Sequence, residues 1–154
     1  KIVLQHHPNT ILEMAGDGTT MNEVSTLANQ LELTTSVRFL GYLNENEMLS
    51  FYERIGVYVL ATTSETMSTG ILQAMSCALP IITSNIENNK LLIENDLTGW
   101  LYINRNSVDL AEKIVYAINH YEQAKQLGLA ARQSIIDHYS IEAAANKYAT
   151  LISQ

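Results

Sequence analysis

The sequence predicts an α/β domain of three layers, with a doubly wound parallel sheet between helices. Two observations carry this expectation. Short apolar runs alternate with longer amphipathic stretches from end to end, which is the pattern of βα units. No linker, low-complexity tract or internal repeat interrupts the 154 residues, about the length of one ordinary domain.

Residues 1–7 have the character of the tail of a helix. The first strand is expected over residues 10–15 and stops at Gly16-Asp17-Gly18. A helix over about residues 19–31 follows, with Met21, Val24, Leu27, Ala28 and Leu31 at 3.6-residue spacing. The second strand, residues 37–40, ends at Gly41; Asn44 then reads as the N-cap of a helix carrying Met48, Leu49 and Tyr52. Val57-Tyr58-Val59-Leu60 is β-branched and aromatic, as a third strand requires. A helix over about residues 68–77 must end before Pro80, which cannot continue it. Residues 80–83 and 100–103 are the fourth and fifth strands, separated by a short helix over 87–94 and a turn at Thr98-Gly99. Helices over about 108–121, 122–138 and 141–152 close the chain, the last with Ser140 as N-cap and Glu142 in its first turn, where the helix dipole favours an acid.

Composition excludes several function classes. The net charge is −7 and the nine Lys and Arg are scattered, so no basic stripe exists for nucleic acid. One cysteine, Cys77, allows no internal disulfide and reads as a buried small hydrophobe, with no cation or helix start to activate it. The histidines are isolated or adjacent, with no metal-ligand spacing, and no Asp-x-Asp is present, so no metal is expected. The apolar runs are too short to span a bilayer and no leader is visible, so the expected location is the cytoplasm.

In a doubly wound sheet, ligands bind beyond the carboxyl ends of the strands. The loops to examine are therefore 16–18, 41–42, 62–69 and 84–90. Glu65 lies just past a strand end and just before a helix. Two readings of it stand: a solvated loop acid, or a carboxylate facing a ligand's hydroxyls. The amides of Met67, Ser68, Thr69 and Gly70 lie in the loop or first helical turn, where free N–H groups suit a pyrophosphate. Gly16 and Gly18 fit either a plain βα turn or a close backbone approach to a ligand; the full G-x-G-x-x-G pattern is absent.

The order of these pieces resembles the C-terminal, donor-binding domain of retaining GT-B glycosyltransferases, glycosyltransferase family 4. Ile11-Leu12-Glu13-Met14-Ala15-Gly16-Asp17-Gly18 resembles that family's L-x-I-x-G-x-G segment, and residues 37–43 its V-x-F-x-G-x-V. Residues 57–65 resemble A-D-V-x-V-x-P-S-x-x-E, and residues 72–82 resemble x-E-A-M-A-x-G-x-P-V-I. Asn95-Asp96-Leu97-Thr98-Gly99-Trp100-Leu101 resembles D-G-x-T-G-x-L, and His138-Tyr139-Ser140 the F-S-W before the last helix.

The resemblance implies a parent enzyme that moves a hexose-type sugar from a nucleoside-diphosphate sugar to a hydroxyl acceptor with retention, without a metal, in glycan or glycolipid synthesis. It puts Glu65 on the donor sugar as the catalytic residue. Gln73, at the second position of the E-x₇-E motif, falls on the ribose, where the family carries Glu. The amides of Met67, Ser68, Thr69 and Gly70 fall on the diphosphate, although the family's G-F-G is Thr66-Met67-Ser68 here. Gly16, Gly18, Gly41 and Tyr42 border the nucleotide. The resemblance further implies that residues 1–154 are one donor-binding domain lacking its first strand. The Arg and Lys that follow that strand would lie outside this chain. So would the N-terminal domain, through which a carbohydrate, lipid or protein acceptor and any peripheral membrane contact would be met. Gln73 and the altered loop also fit an alternative, a non-catalytic module of the same fold that binds a nucleotide or a partner.

Overall fold

The computed structural model describes residues 1–153, which divide into two compact units, Lys1–Arg54 and Ile55 onward. In the first unit, the short helix α1 (Ile2–His6) precedes strand β1 (Leu12–Ala15), helix α2 (Met21–Gln30), strand β2 (Val37–Gly41) and helix α3 (Glu45–Arg54). β1 and β2 pair in parallel, Leu12 opposite Val37 and Glu13 opposite Arg38. The register shifts between Met14 and Ala15, so that Ala15 lies opposite Gly41. Asn44 caps α3 as expected: its Oδ1 accepts from the Asn46 and Glu47 amides at 3.0 and 3.1 Å. Glu47 returns a carboxylate oxygen to the Asn44 N–H at 2.8 Å, completing a capping box. The Glu13 carboxylate joins the unit's parts, meeting Arg38 at 3.3 Å and Arg54 at 3.0 Å.

The second unit holds strands β3 (Tyr58–Leu60), β4 (Ile81–Ser84) and β5 (Trp100–Tyr102), all parallel in the order β3-β4-β5. Between them lie helices α4 (Thr69–Ser76) and α5 (Glu87–Lys90); α6 (Ser107–Asn119), α7 (Tyr121–His138) and α8 (Ile141–Ile152) follow. All four residues of β4 are buried, as a central parallel strand covered on both faces demands. Ile82 packs with Trp100, Tyr102, Ala117, Ala124 and Leu127, so β4, β5, α6 and α7 share one apolar core. The alternation of strand and helix and the parallel pairing agree with the sequence reading, and the strands form two parallel sheets, β1-β2 and β3-β4-β5.

One element and one residue differ from expectation. The helix expected over 87–94 is one turn, Glu87–Lys90; past it the chain turns at Glu94–Thr98, where the Thr98 N–H bonds the Glu94 carbonyl at 2.9 Å. α6 begins at Ser107, as expected, and the Asn106 side chain caps the Val108 and Asp109 amides. Cys77, expected to be buried, is half-buried at the C-cap of α4. Among the described residues no helix is long and apolar enough to cross a membrane.

Candidate functional site

The residues singled out by the sequence fall in both units. Gly16, Gly18, Gly41 and Tyr42 belong to the first, and Glu65, Met67, Ser68, Thr69, Gly70 and Gln73 to the second.

In the first unit, β1 and β2 run side by side and in the same direction, so their carboxyl ends deliver Gly16 and Gly41 to neighbouring loops. The Gly16 N–H donates to the Gly41 carbonyl at 2.8 Å. Both glycines take positive φ, +125° and +67°, a region that L side chains rarely adopt, and a Cβ on either would meet no atom within 4 Å. Glycine is thus required here by the backbone path. Beyond Gly41, the Tyr42 ring is 80% exposed, the largest exposure of any aromatic near a strand end. The Gly18 amide is engaged locally, accepted by the Asp17 carboxylate at 2.7 Å. An acid at the entry to α2 suits the helix dipole, and any anion approaching Gly18 would have to displace it.

In the second unit, the connection from β3 to α4 carries the remaining candidates. Ser68 is the N-cap of α4; its hydroxyl oxygen accepts from the Ile71 amide at 3.2 Å, and Ser68 is buried. By helix geometry the amides of Thr69 and Gly70, one and two residues past the cap, have no acceptor inside the helix. A Cβ at Gly70 would meet the Tyr58 hydroxyl, so the end of that side chain lies directly against the first turn of α4. Met67 and Thr69 are exposed. Gln73 lies one turn along from Thr69 on the exposed stripe of α4, opposite the buried Ile71, Ala74 and Met75.

Glu65 is half-buried, and its carboxylate accepts from the next amide, Thr66 N–H, at 3.1 Å. Its backbone carbonyl accepts from the Asn88 side-chain amide of α5. Two other carbonyls of this connection are held from the same side. Thr83 Oγ1 donates to Leu60 at 3.1 Å, and Ser84 Oγ donates to Thr62 at 2.5 Å. Asn89, fully buried, donates to Thr83 Oγ1 at 2.8 Å and to Ser84 O and Oγ at 3.0 and 3.2 Å. The sequence marked loop 84–90 as ligand-side but not Asn88 or Asn89, whose roles depend on partners more than twenty residues away or on burial.

The loop 61–68 contains no Lys or Arg, so an anion there would be met by backbone amides and the α4 dipole. Two open depressions, along α2 at Asn22, Glu23 and Leu27 and along α3 at Leu43, Glu47 and Arg54, include none of these candidates.

Residues 1–134 match the family model described as glycosyl transferases group 1. The chain is 27% identical over 139 residues to glycogen synthase of Mycobacterium tuberculosis, covering 90% of this chain and 34% of that protein. It is 30% identical over 116 residues to alpha-monoglucosyldiacylglycerol synthase of Streptococcus pneumoniae, covering 75% of this chain and 26% of that protein. The chain therefore spans about a quarter to a third of the length of these curated relatives. The crystal structure of S. aureus TarM with Fondaparinux, alpha-GlcNAc-glycerol and UDP superposes with a TM-score of 0.89 at 23% identity, covering 99% of this chain and 31% of that one. At that identity the superposition speaks for the fold.

Proposed function

The chain belongs to the glycosyl transferases group 1 family, and from that premise we propose that it is the donor-binding part of an enzyme that transfers a hexose-type sugar from a nucleoside diphosphate to a hydroxyl acceptor with retention. The observation that supports this most is the build of the β3–α4 connection. A carboxylate, Glu65, and the first-turn amides of a Ser68-capped helix are presented together at the carboxyl end of a parallel strand.

Each candidate then has a role. Glu65 contacts the donor sugar. The amides of Met67, Ser68, Thr69 and Gly70 hold the diphosphate, and Gln73 reaches the ribose. Gly16 and Gly41 let the backbone approach the nucleotide, Gly18 borders it, and the exposed Tyr42 ring offers a face for the base. The protein's contribution to rate is positioning plus stabilisation of charge on the leaving diphosphate, with no metal required of these residues. UDP, which TarM carries in its crystal structure, is the first nucleotide to try. The acceptor, a carbohydrate, lipid or protein hydroxyl, is met by parts of the protein beyond these residues, and we place the reaction in the cytoplasm, in glycan or glycolipid synthesis.

A second reading, a non-catalytic module of the same fold, is favoured by one observation: Gln73 stands where a charged Glu would bind ribose more strongly. A thermal-shift screen of UDP-, GDP- and ADP-sugars against the full-length protein, followed by donor turnover with Glu65→Ala, tests both. Stabilisation by one donor, turnover, and severe loss of turnover in the variant with nucleotide affinity kept support the enzyme. Stabilisation without turnover supports the binding module.

A further inference from the structure

The β3–α4 connection has no repeating backbone hydrogen bonds of its own, yet its Glu65 must stand at a defined place if the proposed function holds. Besides local bonds between Thr62 and Ser64 and from the Thr66 amide to the Glu65 carboxylate, side-chain restraints reach it from one short segment of the chain. Thr83, Ser84 and Asn88 each donate a side-chain hydrogen bond to a carbonyl of the connection, at Leu60, Thr62 and Glu65 respectively. The first two restrain the end of β3 and the start of the loop. The third falls on the residue that bears the carboxylate. Asn88 is itself anchored through its neighbour. Asn89 is fully buried and donates to three oxygens of Thr83 and Ser84, so the single turn of α5 is bolted to the end of β4.

We propose that Asn88 is a positioning residue for Glu65: its side-chain amide holds the Glu65 carbonyl and thereby sets the carboxylate against the donor sugar. The inference rests on the reading of Glu65 given above. Asn88 touches no substrate in this account. Its effect passes through one backbone atom, and a displacement of about 1 Å at a catalytic group can cost on the order of 100-fold in rate. The Ser68 cap lies past the restraint and has its own bond, its hydroxyl oxygen accepting from the Ile71 amide, and the first-turn amides of α4 follow it. Losing Asn88 should therefore disturb turnover while sparing nucleotide binding.

The test uses the full-length protein with Asn88→Ala, Asn88→Asp and Asn88→Gln. Asp matches Asn in size but has no N–H to donate at neutral pH, whereas Gln keeps the donor. The readouts are kcat with whichever of UDP-, GDP- and ADP-glucose turns over fastest, affinity for UDP, the melting temperature, and hydrogen exchange at the Thr66 and Met67 amides. Asn88→Ala and Asn88→Asp should lower kcat by about 10-fold or more, leave UDP affinity within about twofold, and speed exchange at both amides; Asn88→Gln should recover part of each loss. Unchanged exchange in Asn88→Ala and Asn88→Asp overturns the proposal, whatever the donor. So does a fall in UDP affinity and melting temperature that tracks kcat, since the role would then be structural. Glu65→Gln runs alongside: if it transfers sugar normally, the reading of Glu65 fails by itself, and the exchange data still decide whether Asn88 orders the loop.

Discussion

The hydrogen bond from Gly16 N–H to the Gly41 carbonyl, 2.8 Å long, ties the loop after β1 to the last residue of β2. Both glycines lie at positive φ with open space where a Cβ would stand. Replacement by alanine therefore costs backbone strain and not collision. Gly16→Ala should lower stability by about 1–3 kcal/mol and Gly41→Ala by about 1–2 kcal/mol. Urea unfolding of the full-length protein measures this, and UDP affinity should fall with it if these loops border the nucleotide. Midpoints unchanged by either substitution would contradict the strain argument.

Gln73 tests the nucleotide assignment by a different route. It lies on the exposed stripe of α4, and a carboxylate there would make charge-assisted bonds to ribose hydroxyls where the amide makes neutral ones. Gln73→Glu should tighten UDP binding by about 1 kcal/mol, and Gln73→Leu should weaken it by a similar amount. Titration calorimetry reads both. If neither substitution moves the affinity, Gln73 does not touch the ribose.

The strands were legible because each is a short apolar run bounded by Gly, Pro or a polar loop, and the place of Glu65 between β3 and α4 was legible because it follows such a run. The helix caps at Asn44 and Ser140 were open to the same reasoning, since a cap is a local device, whereas Ser68, read as the first residue of its helix, is the cap before it. Asn88 and Asn89 were not. Their partners lie across the sheet or depend on burial, and an Asn in a helical stretch carries no sign of either. The left-handed residues Glu32, Ala78, Asp96 and Arg105 escaped notice for a related reason: the backbone path there is imposed by the fold on residues that do not announce it.

Tyr102 supplies a pH dependence. It is buried in the core with Trp100 and Ile82, and burial raises its phenol above the ordinary value of 10.0. The fold therefore favours the neutral form. The resulting stability is fully present below the unfolded value, and it is lost as pH rises from there through the folded one. Urea midpoints of the protein should fall as pH rises from about 10 upward, and Tyr102→Phe should flatten that fall. An equally steep fall in the variant would assign the alkaline loss to other groups.

Ala78 and Gly128 give paired predictions of opposite sign. After α4, the Ala78 N–H bonds the Met75 carbonyl at 2.9 Å and the Leu79 N–H bonds the Ala74 carbonyl at 3.1 Å. These are the two bonds of a Schellman motif, and its left-handed position, normally glycine, is Ala78 at φ +56°. An alanine in that conformation costs about 1–2 kcal/mol, while glycine loses about 0.5–1 kcal/mol more chain entropy on folding. The balance favours glycine, so Ala78→Gly should stabilise by about 0.5–1 kcal/mol, a rise of roughly 2–8 °C in melting temperature for the unit that begins at Ile55. Gly128 lies on α7 against the same turn, and a Cβ there would run into the Ala78 carbonyl and the Leu79 backbone. Those atoms are backbone, and the N–H groups of the same two residues are bonded to the end of α4, so the turn cannot retreat cheaply. Gly128→Ala should therefore destabilise by about 1–3 kcal/mol, as overpacking does. Differential scanning calorimetry of the two variants decides the matter: one methyl removed should raise the transition, and one added across the same contact should lower it. Loss of stability in Ala78→Gly would show that the Ala78 methyl contributes more packing than its left-handed backbone costs.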